Sequence, residues 1–364
     1  MNKAVIIDQY ALYSALGTLG QTAGALLAGQ SALQPPPCFD LPVAHAPFDN
    51  PALRIPEKVF PLLNNSMRKL PERPFFIYAA AKGDIRSCEP ASYRTGGALP
   101  SPGLSGQADR IAASLGITPR RTEVISNACA SGAAAVARAK DLLETGSCTE
   151  VLIAGFDVIS CFVTSGFFTF GALSASGARP FDKNRDGLSL GDGAVLTVLR
   201  MAEPRNGDIV IAGTGQSNDA NHRTGPSRTG DGLYRAASGA LNDARHSPDQ
   251  IGAVKCHGTA TAYNDAMESK ALQRLFDNTP PPCFSVKGGI GHTSGAGSLL
   301  ELLLAAEFLK RRSIPPTIRF SEPDPEAALP VKAAVQCFSA PSLLCLSAGF
   351  GGLNAAVVLT EAAA

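Results

Sequence analysis

Short apolar runs recur along this chain, each followed by small residues and then by a longer stretch that is apolar on most sides. Ala4-Val5-Ile6 opens the first run and reads as a strand. Glu123-Val124-Ile125-Ser126 is a second, and it leads into an alanine-rich stretch from Ser131 to Leu143 that predicts a helix ending at Gly146. Val151-Leu152-Ile153-Ala154-Gly155 follows as another strand. Beyond the polar turn Glu203-Pro204-Arg205-Asn206-Gly207-Asp208 the plan repeats. Ile209-Val210-Ile211-Ala212-Gly213 is a strand, and Cys283-Phe284-Ser285-Val286 leads through a glycine turn into Gly297-Ser298-Leu299 and a helix reaching about Arg312. Ile314-Pro315-Pro316 closes that helix, and Leu344-Cys345-Leu346-Ser347-Ala348-Gly349 reads as the last strand.

A strand, a small-residue turn, a long apolar helix and a strand, given twice, predict an α/β fold with buried central sheets, divided into residues 1–204 and 205–364. From Leu299 to Leu309 the only charges are Glu301 and Glu307, which predicts a helix sandwiched between layers. Pro35 to Gly106, with its many prolines and Asn64-Asn65-Ser66, reads as loop.

Composition narrows the chemistry. With 364 residues and 45% hydrophobic content the chain can bury a large core, which excludes disordered and disulfide-scaffold classes. A net charge of +1 on a chain only 17% charged offers no basic field for phosphates, so nucleic acid is not expected as a partner. The 36 Gly and 27 Pro, with no Trp, indicate tight turns and close packing of small residues. Nine cysteines with no C-x-x-C spacing read as reduced thiols rather than zinc or redox sites. Asp8 interrupts any apolar leader, and no run approaches the ~18 apolar residues of a membrane span, so a cytoplasmic protein is expected.

Ser126-Asn127-Ala128-Cys129-Ala130-Ser131-Gly132 puts a thiol where a predicted strand turns into a helix N-terminus. Unpaired amides and the helix dipole there favour a thiolate-like Cys129 and could bind an oxyanion, whereas a lone cysteine elsewhere is more often a small core residue. Of the five histidines, His257 and His292 lie in glycine-flanked turns after predicted strands, positions that suit a hydrogen-bond donor or general base as well as a structural role. His45, His222 and His246 fall in polar or Pro-rich loops and read as solvated. Asp182-Lys183-Asn184-Arg185-Asp186-Gly187 opens like a calcium loop, but Gly193 stands where a bidentate Glu is needed. Neither a G-x-S-x-G elbow nor a P-loop occurs, so a nucleophilic cysteine is the chemistry left.

Taken together, several separated motifs resemble the β-ketoacyl-acyl carrier protein synthases, condensing enzymes with a duplicated thiolase-like fold layered α-β-α-β-α. They are the Cys129 turn, Arg179-Pro180-Phe181-Asp182 through Arg185-Asp186-Gly187 to Gly191-Asp192-Gly193-Ala194, and the His257-Gly-Thr-x-Thr turn with Asp265 and Glu268. Lys287, Gly291-His292, Glu301 and Ala348-Gly349-Phe350-Gly351-Gly352-Leu353-Asn354 complete the set, which spans the chain from residue 125 onward. Upstream, Leu26-Leu27-Ala28-Gly29-Gln30-Ser31 looks similar.

The Cys-His-His set resembles the elongating, decarboxylating type. The resemblance implies that Cys129 carries an acyl chain, that the amides of Cys129 and Phe350 form the oxyanion hole, and that His257 and His292 donate to the enolate left when a malonyl group loses its carboxylate. It further implies that Lys287 and Glu301 pair to orient His292, although both could merely cap their helices. Phe350 resembles a gating aromatic, and Arg68 and Lys69 resemble residues that dock the acyl carrier protein. Asp265 and Glu268 read as structural. Neither metal nor organic cofactor is implied. The chain is shorter than most of the family, with the shortfall between about Tyr78 and Ile125, and Ile6-Ile7-Asp8-Gln9-Tyr10 lacks the usual Thr-Gly-x-Gly turn. These departures favour a specialised member acting as a homodimer or with a related subunit. Two alternatives stay open: a non-catalytic chain-length partner, and an acyltransferase that does not decarboxylate malonyl groups.

Overall fold

A computed structural model describes residues 3–34, 43–83, 85–86 and 103–363. Its centre is an eleven-stranded sheet path built from two five-strand sets of the same plan. The first set runs Arg121–Ile125, Phe75–Ala79, Glu150–Asp157, Gly193–Ala202 and Ala4–Ser14; its first two pairings are parallel and its last two antiparallel. The second runs Cys283–Phe284, Ile251–Lys255, Ser342–Gly349, Leu353–Glu361 and Ile209–Asn218, with the same sequence of parallel and antiparallel pairings. The sets join where Ile6 pairs with Val210.

Alternation along each strand explains the layers. Ile77 and Ile153 face a core shared with helices Ser131–Glu144 and Ser294–Lys310 and with the second set's Cys345 and Val357. On the other face Phe76, Tyr78 and Leu152 meet helices Pro56–Asn65 and Gly103–Ser114. Likewise Val254, Leu344 and Leu346 of the second set meet helices Asp231–Ala244 and Ala262–Leu275. The order is helix, sheet, helix, sheet, helix, as the family resemblance implies. Among the described residues, no helix is long and apolar enough to cross a membrane.

The loop reading of Pro35 to Gly106 is corrected in part. Helix Pro56–Asn65 begins on a proline at its first turn, where the missing N–H costs no hydrogen bond. Strand Phe75–Ala79 is buried on both faces and therefore shows no alternation to read. Residues 35–42, 84 and 87–102 lie outside the described residues. His45 is not solvated: it is buried in a short strand paired with Leu190–Gly191. His246 is half-buried, with Nε2 3.0 Å from the Ser342 hydroxyl, while His222 is exposed as expected.

The two inner helices cross almost backbone to backbone at Gly132. A Cβ there would lie 2.4 Å from the Leu299 amide nitrogen and 2.6 Å from its Cβ. Alanine normally gains about 1 kcal/mol over glycine inside a helix, but this clash outweighs that gain. Gly132→Ala is therefore expected to destabilise the protein by roughly 3 kcal/mol, read as a lower urea midpoint. An unchanged midpoint would refute the close crossing.

Candidate active site

Strand Arg121–Ile125 ends at the inner helix layer, and the chain reverses through residues 126–130 before helix Ser131–Glu144. Ala128 takes φ 48, a left-handed conformation rare for a residue with a Cβ. Ser131 holds it there: its hydroxyl accepts from Asn127 N at 2.8 Å and donates to Ala128 O at 2.6 Å. Cys129 is half-buried on this turn and lines a cavity of about 480 Å³. Facing it, strand Ser342–Gly349 ends in the loop that carries Phe350, which lines the same cavity and whose backbone amide favours the ionised form of the Cys129 thiol.

His257 follows strand Ile251–Lys255. Behind its turn Glu268 accepts from His257 N at 2.5 Å and Gly258 N at 2.8 Å, while Asp265 accepts from Phe181 N at 2.8 Å and Thr259 N at 3.1 Å. These carboxylates brace the backbone, the structural role the sequence suggested. His292 follows Gly291, whose φ of 69 and whose closeness to Leu190 O leave no room for a Cβ. The first half stitches this turn in place: His292 N donates to Ser189 O at 2.7 Å, and Gly191 N donates to His292 O at 3.0 Å. The rings of His257 and His292 stand 5.4 Å apart, edge to face, and both line the cavity with Cys129.

The charges around them explain their protonation. Burial, then the Lys287 ammonium, holds His257 well below the usual histidine range and His292 down at about 3. Both imidazoles are thus neutral at physiological pH, each with one N–H, and His292 Nδ1 has no hydrogen-bond partner among the described residues. Burial likewise pushes the Cys129 thiol up to about 11, against the opposing pull of Lys287. This runs opposite to the expectation of a thiolate-like cysteine: desolvation is the largest influence on the thiol in the resting site.

Lys287 and Glu301 do pair, at 2.6 Å, and the charges of both act on His292, while the backbone bond of the lysine goes to the other histidine. Lys287 Nζ donates to the carbonyl oxygen of His257 at 2.6 Å. Burial works against the charge on Glu301, yet two lysines overcome it and hold its carboxyl below the usual range. The second is Lys255, 2.7 Å from Glu301 Oε2, a residue the sequence gave no reason to single out. Asp157 was also missed. Its Oδ2 accepts from Gly295 N at 2.8 Å and Oδ1 pairs with Lys82 at 2.7 Å, tying the first half to the start of helix Ser294–Lys310.

Phe350 is half-buried and packs its ring 5.3 Å from Phe167 and 6.2 Å from Phe170, giving the cavity an aromatic wall. Thr259, Thr261, Asn264 and Asp219 give it a polar side. Arg68 and Lys69 are not brought to this cavity. They precede strand Phe75–Ala79, whose far end at Ala79 pairs with Ile125 before the Cys129 turn, and they are bonded to Asp8 and Glu72.

Residues 84–204 match the N-terminal domain of the beta-ketoacyl synthases, and residues 209–321 match the C-terminal domain. The tetracenomycin polyketide synthase ketoacyl synthase alpha subunit of Streptomyces glaucescens is 34% identical over 256 residues, 65% of this chain and 59% of that protein. The 3-oxoacyl-[acyl-carrier-protein] synthase 2 of Staphylococcus aureus is 33% identical over 245 residues, 64% of this chain and 61% of that one. The match thus spans only about three-fifths of the length of each. A solved beta-ketoacyl synthase from Burkholderia phymatum STM815 superposes with a TM-score of 0.87 at 26% identity, covering 99% of this chain and 100% of that one. With both domains matched in order and the whole described fold shared, this chain belongs to the β-ketoacyl synthase family.

Proposed function

We propose that this chain is a decarboxylating β-ketoacyl-acyl carrier protein synthase, with Cys129 as nucleophile and His257 and His292 as enolate donors. The observation that supports it most is the meeting of one thiol and two neutral imidazoles, from three separate turns, on one cavity. A protonated imidazole would bind the malonyl carboxylate and oppose its loss, whereas a neutral one donates to an oxygen that becomes negative as the carbon–carbon bond breaks.

In the first half-reaction the Cys129 sulfur attacks an acyl thioester, and the carrier thiol leaves with the proton. The backbone N–H of Phe350, on the loop beside the thiol, and that of Cys129 stabilise the oxyanion. In the second, the malonyl carbon–carboxylate bond breaks, carbon dioxide departs, and the enolate oxygen accepts from His257 and His292. The enolate carbon then attacks the acyl carbonyl, and Cys129 leaves as thiolate and takes up a proton. Lys287 contributes by fixing the His257 carbonyl. Phe350, which lines the cavity and packs on Phe167 and Phe170, serves as the gate. Acyl- and malonyl-loaded carrier proteins are the proposed substrates, in keeping with the name of the Staphylococcus relative. A related subunit is the proposed partner, in keeping with the alpha subunit from Streptomyces glaucescens. Residues 1–204 supply the nucleophile, and residues 205–364 supply both imidazoles.

Incubation with acyl-carrier protein and then malonyl-carrier protein, followed by intact mass, tests this reading. An acyl adduct that disappears as β-ketoacyl product forms is expected. No adduct would favour the partner reading, and an adduct without condensation would favour the acyltransferase. Cys129→Ala should abolish the adduct. His292→Ala should keep it while lowering malonyl decarboxylation at least ~100-fold, the scale of a lost oxyanion donor; retained decarboxylation would remove His292 from its role.

The thiol's ionisation gives an independent check. With Cys129 near 11, only about one molecule in a thousand carries the thiolate at pH 8. Alkylation of Cys129 by iodoacetamide, followed on its peptide by mass spectrometry, should therefore rise about tenfold per pH unit between 7 and 9. A plateau below pH 8 would contradict the burial argument.

A further inference from the structure

Lys255 is fully buried at the end of strand Ile251–Lys255, and the reaction proposed above assigns it nothing. A lysine is almost never buried without a partner, because desolvating an ammonium is costly unless its donors are used. Here Nζ donates to Glu301 Oε2 at 2.7 Å and to Leu346 O at 2.7 Å. The two contacts tie together three elements of the site. Lys255 is two residues before His257, Leu346 is on the strand that runs into the Phe350 loop, and Glu301 is on the helix that follows His292.

Glu301 is consequently gripped from both sides, with Lys287 at 2.6 Å on Oε1 and Lys255 on Oε2. One lysine would suffice to neutralise one carboxylate. The second makes the buried clamp net positive. We propose that Lys255 is a positioning residue for the condensing site: it fixes Glu301 from the side opposite Lys287 and supplies the surplus positive charge beside the two imidazoles. The proposal rests on the ketosynthase reading for its effect on rate, but not for its effect on the histidines.

The charged groups that act on the imidazoles are Lys287, Lys255, Glu301 and Lys82, with Cys129 on the same cavity; behind them Glu268 holds the His257 backbone, Asp157 pairs with Lys82, and Cys345 lies by Lys255 and Glu301. Lys255 acts on both rings in the same direction, disfavouring their protonation after burial and Lys287 have done so. Without it, Lys287 and Glu301 become a neutral pair. Protonated imidazole then becomes easier to form, and the acid limb of the reaction moves to higher pH.

The test is Lys255→Met, close in shape and uncharged, in the full chain with ring-labelled histidine. With five histidines in the sequence, the His257 and His292 resonances can be assigned through single substitutions. Expected are an upward shift of about one pH unit in the titration of at least one of them, with His222 unmoved, and an acid limb of malonyl decarboxylation that follows it. At neutral pH the decarboxylation rate should fall about tenfold, as for other outer partners of a catalytic group. Histidine titrations identical to the parent, or a rate loss by one factor at every pH, would overturn the proposal. If Lys255→Met does not fold, Lys255→Asn, which leaves room for water beside Glu301, faces the same two readouts. Failure of both variants to fold would make Lys255 a folding residue and overturn the positioning role. A parent enzyme that does not condense at all would sink the ketosynthase reading while leaving the histidine titrations to decide this one.

Discussion

A carboxylate in the middle of a helix buried on every side organises this molecule. Glu301 lies within Ser294–Lys310, between two sheets, where an uncompensated charge would cost several kcal/mol. The fold meets that demand with two lysines from different elements, and each also donates to a backbone carbonyl of the site. The ion-pair network is therefore also the scaffold of the reaction. It fixes the His257 turn through Lys287 and the strand leading to Phe350 through Lys255. Its positive charge, added to burial, also keeps both imidazoles neutral.

The duplicated plan explains why the reactive groups converge. Each five-strand set directs its turns toward the shared layer of inner helices. The first contributes Cys129, and the second contributes the His257 turn and the Phe350 loop. The halves are then tied across. Residues 189–191 of the first half hold the His292 backbone, and Asp157 caps the start of the helix after it. Small residues are what permit this closeness. Gly132 lets the inner helices approach, and Gly291 lets the His292 turn lie against Leu190.

Much of this was legible in the sequence because it depends on local pattern. The two inner helices, the strands at Val151, Ile209 and Leu344, and the turns at Cys129, His257 and His292 all follow from apolar runs broken by small residues. Strand Phe75–Ala79 was hidden because it is buried on both faces and preceded by Pro71 and Pro74. His45 was hidden because a two-residue strand pairing across nearly the whole first half leaves no local signal. Lys255 and Asp157 were missed for a related reason, since their partners are 46 and 138 residues away. The only hint lay in the charges themselves, a lysine at the end of an apolar strand and an aspartate after Phe156. Cys129 was correctly located at a strand-to-helix turn but misjudged in charge, because desolvation is a property of the folded site.

The central claim is geometric: one thioester on Cys129 must be reachable by the Phe350 amide and by both imidazoles. A crystal structure of the acyl-enzyme trapped on Cys129 tests it most directly. The account predicts the acyl carbonyl oxygen within hydrogen-bonding distance of the Phe350 N–H, with His257 and His292 facing open space within about 3.5 Å of where an attacking carbon would stand. An acyl group that leaves the Phe350 amide unengaged, or imidazoles turned away from the thioester, would contradict it.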